Sequence, residues 1–534
     1  MTVGHNRFAI LRALFLLALV ALVVVAAAMA GGGLTRGPSA PVAGRDTVRI
    51  LGGEPASIDP ARHGDLGSAA FIGQLFETLT SVDPSTTIRP ALAESWTVED
   101  EGRRVVFALR EGLTFSDGTP LTANDVVRSW RRLVDPAGSS PLASLFADVV
   151  GVRDLLARRS TDVADLGVVA TDARTVTVQL ERGGGDLPAI VSGPPFAIVP
   201  PSVGPGELQP TPGSFASSGG YTLKAVEPDA LVLEANDRYW AGRPAIPTVR
   251  WVVDLGGRSA VDAFVNGELD YTPVGWFDAG WLAYDAEHGA SLRQEAQLSV
   301  TYYGFDAGAP PFDDVRVRQA FAMAVDWRRI AALGPPGASV PATGMVPEGI
   351  PGRPDGDYLP PHDPVAARRL LADAGYPDGR GLPEVDFVTI GGAQDEAIAT
   401  ELREVLGVEV AYANTDFDDL RSGDDPPAIW SVTWVADYPG SNDFLGVLLG
   451  TGSTSNEGRW SSPAFDAAIA EAASAAAPEE ASAAFARALA IVRDEAPVVP
   501  LDYGVNWALA REGLLGATEA GTGILRLAGI AWAE

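Results

Sequence analysis

Histidine, lysine and cysteine carry much of the covalent, metal and cofactor chemistry of proteins, and this chain holds few of them. The four histidines are His5, His63, His288 and His362, and no two stand at a metal-binding spacing such as His-Glu-x-x-His. Each reads by default as a surface residue. The single lysine, Lys224, follows Leu223 in YTLKAV instead of closing a Gly-Lys-Ser/Thr phosphate loop, and a Schiff base would have to use this strand residue. Cysteine is absent, which removes disulfides, thiolate metal sites, cysteine nucleophiles and a lipid-bearing cysteine together. No Gly-x-Ser-x-Gly elbow occurs, and Gly450-Thr451-Gly452 lacks the third glycine of a dinucleotide loop. Acid pairs such as Asp313-Asp314 and Asp424-Asp425 belong to a chain with 69 Asp+Glu, where such pairs are usually solvated surface. The expectation is a protein that is not an enzyme and uses no metal and no cofactor.

What it binds is bounded by charge. With 39 Lys+Arg the formal net charge is −30, and a nucleic-acid binder needs the opposite sign to displace counterions from phosphates. Hydrophobic residues make up 46% and charged residues 20%, so the chain is neither disordered nor polytopic. A chain of 534 residues normally divides into several lobes.

The N-terminus has an export signature. Arg7 and Arg12 precede the unbroken apolar run Ala13–Ala30, which ends Ala28-Met29-Ala30. That is the pattern of a secretory signal, and it is also close to the roughly 20 residues a membrane-spanning helix needs. Both readings stand; with no lipid-bearing cysteine, an uncleaved anchor is the obvious way to hold the protein at a membrane. Residues 31–45, rich in Gly, Pro and Ala, read as a flexible linker. In either case the mature domain is extracytoplasmic.

From Asp46 onward strand and helix signals alternate without internal repeats. Strands are predicted at Thr47–Leu51, Val105–Leu109, Thr175–Leu180, Tyr221–Lys224, Leu231–Glu234, Thr248–Val253, Ala428–Val435 and Pro497–Tyr503. The spacing of Phe71, Leu75 and Leu79 predicts a helix over Ser68–Leu79, and Thr122 with Asp125 caps one through Val134. Long helices are expected over Asp313–Leu333 and over Ala464–Asp494, the latter divided at Pro478, and Asp363-Pro364 opens a helix ending at Gly375. The fold class is mixed α/β in several lobes.

Read in order, the same segments carry a series of motifs. They are EPASIDPARHGDLGSAAFIGQLFETL (Glu54–Leu79), IRPALAESWTVEDEGRRVVFALREGLTFSDGTPLTANDVVRSW (Ile88–Trp130), GGYTLKAVEPDALVLEANDRYW (Gly219–Trp240) and DAFVNGELDYTPV (Asp262–Val274). YYGFDAGAPPFDDVRVRQAFAMAVDWRRI (Tyr302–Ile330), DPVAARRLLADAGYPDG (Asp363–Gly379), TWVADYPGSNDFL (Thr433–Leu445) and APVVPLDYG (Ala496–Gly504) follow. In this order they resemble the extracytoplasmic solute-binding proteins of family 5, the dipeptide-, oligopeptide- and nickel-binding components of ABC importers. The resemblance covers essentially everything after Asp46. It implies a two-lobed, periplasmic-binding-protein-like fold of class II type, with mixed sheets and a hinge. On this chain the first lobe would comprise a main domain of 46–82, 188–297 and 496–534 with a small inserted domain at 83–187. The second lobe would be 298–495, with hinge crossings near Gln297–Tyr303 and Ala496–Leu501.

The resemblance also implies a role: capturing a di- to oligopeptide by lobe closure and delivering it to membrane permease subunits driven by an ATPase on separate chains. The protein is then a monomer with no nucleic-acid partner. In peptide-binding relatives the aspartate matching Asp437 receives the peptide α-ammonium group, a role that a buried carboxylate suits; a turn-capping aspartate before Pro439 is the alternative. Trp434 and Tyr438 flank it as apolar walls or as ordinary core. Arg318, ahead of Arg316, is the candidate for a ligand carboxylate or for a structural ion pair, and His63 lies in a loop that approaches the ligand in relatives. Gly440-Ser441 departs from the Asp-Pro that often follows this Tyr-Pro, which bears on the local loop shape. A nickel chelate, an oligosaccharide or another small solute is the alternative cargo. A membrane-tethered sensory or adhesive ectodomain is the alternative class.

Overall fold

A computed structural model describes residues 46–138, 140–389, 392–414, 427–475 and 477–533. The export or anchor segment, the linker to Arg45 and the Asp424-Asp425 pair lie outside the described residues. Among the described residues no helix is long and apolar enough to cross a membrane.

Chain order explains the layers. Strand β1 (Thr47–Leu51) buries Val48 and Ile50. Asp65 caps helix α1 (Leu66–Leu75) by accepting the Ser68 N–H, and the helix stops earlier than its apolar spacing predicts because Phe76 is extended, with φ −130°. Strands β2 (Ala93–Glu99) and β3 (Arg104–Leu109), helix α2 (Ala123–Val134) and strands β4 (Val168–Ala170) and β5 (Thr175–Gln179) form a small antiparallel unit. Its sheet order is β2-β3-β5-β4. Asp125 accepts the Thr122 N–H to close the start of α2, and Trp130 on α2 packs edge-on against Phe107, Phe146 and Phe196.

Strands β6 (Tyr221–Val226), β7 (Ala230–Ala235) and β8 (Thr248–Val252), helix α3 (Ala260–Val265) and strand β9 (Tyr271–Val274) follow. Then comes β10 (Leu292–Phe305), 14 residues long. The helix expected over Asp313–Leu333 is two helices, α4 (Val315–Ala324) and α5 (Trp327–Ala331). Val325 is extended, with ψ 134°, and the Asp326 side chain caps the second helix by accepting the Arg329 N–H. Helix α6 (Pro364–Asp373), strand β11 (Val385–Thr389), helix α7 (Ala393–Leu406), and strands β12 (Val410–Asn414) and β13 (Ile429–Val435) build the far part of the sheet. Helices α8 (Ser441–Phe444), α9 (Pro463–Ser474) and α10 (Pro478–Glu495) lead to β14 (Val498–Ala510). Proline opens both α9 and α10, where its missing N–H is not needed.

The main sheet runs β12-β11-β13-β10-β14-β9-β1-β8-β7-β6, with Ser339–Pro341 pairing on β14 as an eleventh strand. Its centre is the antiparallel pair β10 and β14. The outer half of β10, Leu292–Ala296, pairs with Val505–Leu509, and the inner half, Val300–Gly304, pairs with Val498–Tyr503 and with β13. Register breaks between Ala296 and Val300. There the Leu298 N–H leaves β14 and donates to the Gly521 carbonyl at 2.8 Å, while the Leu298 carbonyl accepts the Ala436 N–H at 2.8 Å. Gly504 sits opposite the break: its N–H donates to Ser299 Oγ at 3.2 Å, and a Cβ there would lie 2.3 Å from that oxygen and 2.5 Å from Gln297 Oε1.

Gly504→Val drives a branched side chain into the irregular pairing. The expected result is a loss of about 1–3 kcal/mol in denaturant unfolding, the usual cost of overpacking; an unchanged midpoint would show that the break can open without strain.

Candidate functional site

A cleft of about 1220 Å³, counting the solvent at its mouth, is lined by residues from widely separated parts of the chain. The loop after β1 supplies His63, Gly64 and Asp65, and α1 supplies Leu66, Ala69 and Gly73, a spacing that puts them on one helical face. Leu142 and Leu145 come from the region of the small antiparallel unit, and Pro194 and Pro195 from the turn before Phe196. Val435, Ala436, Asp437 and Pro439 continue from the end of β13, and Thr522, Ile524 and Arg526 come from the last described segment. The lining is mostly apolar with a few converging polar groups, which is the usual make-up of a small-molecule site.

The His63 loop is held by Asp59. This fully buried carboxylate accepts Arg132 Nη1 and Nη2, both at 2.5 Å, and the N–H groups of Ala61 and Leu208. Burial alone would raise its pKa; Arg132 and the two N–H donors outweigh burial and hold it below the ordinary value. His63 itself is 3% exposed, and among the described residues neither ring nitrogen makes a well-formed hydrogen bond, although the Asp65 backbone acts on the ring. Burial pushes its pKa down against the opposing pull of Asp65 and Asp59, which leaves a neutral imidazole facing the cleft.

Glu77 and Arg526 form a closed unit in the wall. Glu77 is buried and accepts Arg526 Nη2 at 2.7 and 2.8 Å, the Tyr239 hydroxyl at 2.5 Å and Trp240 Nε1 at 3.3 Å. Burial works against its charge, but Arg526 and Tyr239 more than compensate and keep its pKa below the ordinary value. The Arg526 charge is therefore already matched inside the protein.

Asp437 is not matched. Its backbone N–H donates to Asp443 Oδ2 at 3.1 Å, but among the described residues its own carboxylate accepts no hydrogen bond and pairs with no cation. Burial pushes its pKa up to about 6. A desolvated carboxylate at a cleft wall is suited to receiving a cationic donor.

The other expected site residues lie behind this wall or away from it. Trp434 donates through Nε1 to Asp443 Oδ2 at 3.0 Å and packs against the core of the β13 region. Tyr438 is 2% exposed, and its hydroxyl accepts from Asn442 Nδ2 at 3.1 Å and reaches Asp186 Oδ2 at 3.5 Å. Neither lines the cleft. Arg318 is not among the cleft-lining residues: it is 4% exposed on α4, with Nη1 on the Phe312 and Asp313 carbonyls and Nε on that of Glu495. Its fork stitches the ends of α4 and α10 together instead of facing the cleft. The Gly440 departure also has a local reason, because a Cβ there would lie 2.6 Å from the Tyr438 ring and 3.6 Å from Asp186 Cγ.

Sequence reasoning passed over Glu77, Arg526, Asp186 and Asp443. Asp443 carried a usable signal, an acid just before the apolar run of Phe444, Leu445 and Val447–Leu449. Arg526 carried none, since its partner is 449 positions away.

This arrangement, two parts of a mixed α/β body sharing a central pair of strands around a cleft, is that of the two-lobed periplasmic binding proteins. Residues 87–456 match the model of the bacterial extracellular solute-binding proteins, family 5 Middle, and the chain belongs to this family. It is 30% identical over 468 residues to the probable deoxycholate-binding periplasmic protein YgiS of Escherichia coli, covering 84% of this chain and 86% of that one. Identity is also 30% over 505 residues to the periplasmic oligopeptide-binding protein OppA of Escherichia coli, covering 88% and 89%. Among solved structures, the unliganded open form of the periplasmic murein tripeptide binding protein MppA superposes with a TM-score of 0.76 at 26% identity, covering 92% of this chain and 98% of that one.

Asp59→Ala strips the partner from a nearly buried arginine. It should cost about 3–5 kcal/mol, as breaking a buried pair does. Because the Asp59 pKa is depressed in the folded state, its contribution is present above the ordinary carboxylate range and is lost as pH falls through the depressed value. Unfolding of the wild type should therefore weaken toward acid more steeply than that of the variant, and parallel curves would contradict the assignment.

Proposed function

We propose that this protein captures peptides outside the cytoplasm, without altering them, and delivers them to the permease of an ABC importer. The carrying observation is the half-buried, unpartnered Asp437 carboxylate in the cleft wall, which fits the α-ammonium group of a peptide. Relatives named for oligopeptides and murein tripeptide support the cargo class. His63, neutral and buried at the cleft, is proposed as a second polar contact, and the apolar walls leave room for varied side chains. Trp434 and Tyr438 are assigned to support Asp437 from behind.

The proposed division keeps 46–82, 188–297 and 496–534 as the main domain, 83–187 as the insert and 298–495 as the second lobe. The placement of β10 and β14 through the centre of the sheet supports a hinge there. Lobe closure follows from ligand contacts that complete only when both sides of the cleft meet, so the ligand stabilises the closed form by its differential affinity. The protein acts as a monomer, exported through the N-terminal apolar segment as signal or anchor. A second cargo reading rests on a specific likeness: YgiS is named for deoxycholate, and the apolar walls here would suit a rigid amphipathic solute too.

Di- to pentapeptides titrated against tryptophan emission, from 12 tryptophans, should saturate, and scattering profiles should contract with ligand. N-acetylation of the peptide, or Asp437→Ala, should weaken binding roughly 10- to 100-fold, the equivalent of a charge-assisted hydrogen bond of about 1.5–3 kcal/mol. Equal affinity for free and acetylated peptides would remove Asp437 from this role. A response to deoxycholate alone would favour the second cargo, and cleaved peptide in the mixture would end the non-enzymatic reading.

A further inference from the structure

Two short backbone segments of the 83–187 region reach across to the 298–495 region. The first is the turn of the hairpin that pairs Thr80–Val82 with Ile88–Pro90. Asp83 shapes this turn: its carboxylate accepts the Ser85 N–H at 2.9 Å and the Thr87 N–H at 3.0 Å, and its carbonyl accepts the Thr86 N–H at 2.8 Å. Pro84 and Ser85 are exposed, but Thr86 is 5% exposed, and its hydroxyl donates to the Gly349 carbonyl. Thr86 holds φ 62°, a conformation that a β-branched residue keeps only where its surroundings enforce it. Val82, at the base of the same turn, lines the cleft.

The second segment is the glycine run 183–185. It is fixed from behind, where the Gly184 N–H donates to the Gly102 carbonyl at 3.0 Å. Its outer face meets the last turn of α9. A Cβ on Gly183 would lie 2.7 Å from the Ala473 carbonyl oxygen and 3.1 Å from both the Ala473 carbonyl carbon and Ser474 Cα, all backbone atoms. Only a residue without a side chain lets two backbones approach so closely. The atoms nearest to that Cβ all belong to α9, so it is the far side of the contact that requires glycine here. A Cβ on Gly185, two positions along, would lie 3.9 Å from the same oxygen, an ordinary contact.

We propose that Gly183 and Thr86 form a latch between the lobes, which favours their closed arrangement before cargo arrives and so sets the affinity for whatever cargo enters. The inference rests on the proposed division into lobes, not on the identity of the cargo. Neither residue lines the cleft, so the latch acts through the balance of open and closed forms: lowering the closed fraction weakens apparent affinity in proportion.

Small-angle scattering of the ligand-free full chain, with trialanine titration beside it, tests this on the wild type, Gly183→Ala and Gly185→Ala. In Gly183→Ala the methyl group pushes α9 away. The ligand-free radius of gyration should rise above that of the wild type, and trialanine affinity should fall about tenfold. Gly185→Ala removes a glycine from the same loop without the clash and should match the wild type in both readings. Should Gly183→Ala fail to fold, Thr86→Val, which keeps the shape and removes the donor, should move both readings in the same direction, and no movement overturns the latch. A folded Gly183→Ala protein with either the wild-type radius or the wild-type affinity overturns it too. So does a Gly185→Ala protein that shifts as far as Gly183→Ala. Absence of trialanine binding by the wild type counts against the peptide reading alone, and the scattering comparison then decides the latch by itself.

Discussion

Everything in this molecule is built outward from the pairing of β10 with β14. The two strands share one antiparallel ladder, yet the ladder breaks between Ala296 and Val300, and the groups it frees are used at once. Leu298 gives its N–H to Gly521 and takes the N–H of Ala436, so the irregular turn of β10 is bonded to both the C-terminal segment and the end of β13. Those two segments supply Arg526 and Asp437 to the cleft. A regular ladder would satisfy the same backbone groups but would leave neither segment tied to the centre of the sheet.

Charge in the cleft is divided between a closed and an open account. Glu77, Arg526, Tyr239 and Trp240 satisfy one another, and Asp59 is satisfied by Arg132 and two N–H groups; these units hold the walls. Among the described residues Asp437, Asp443 and Asp186 have no such cation, and burial lifts the pKa of all three. In a chain with formal net charge −30 most acids lie on the surface and cost little, whereas these three are desolvated.

Much of this was legible in the sequence where the signal is local. Asp363-Pro364, Thr122 with Asp125, and the prolines at 463 and 478 mark helix starts through capping chemistry that acts within a turn, and the structure places helices there. The break at Val325 was not legible, because Asp326 reads as readily as a solvent-facing helix residue as a cap. The WVADYPGSNDF segment was visible as a motif, but not which of its side chains face the cleft: Trp434 and Tyr438 turn away, and Asp437 turns in. The partners of Arg318 are equally hidden from the sequence. An arginine among acids suggests ion pairing, yet its donors end on backbone carbonyls at the termini of two helices. The Glu77–Arg526 unit joins residues hundreds of positions apart, and no periodicity or spacing announces such a pair.

That last pair sets an order in time. During synthesis Glu77 emerges long before Arg526, and until that residue is made the carboxylate does not meet its guanidinium partner. The central strand β14, Val498–Ala510, is made only shortly before it, and the wall shared with Thr522, Ile524 and Arg526 stays unfinished until then. A chain ending before this stretch therefore lacks one side of the cleft, because Thr522, Ile524 and Arg526 are missing from its wall.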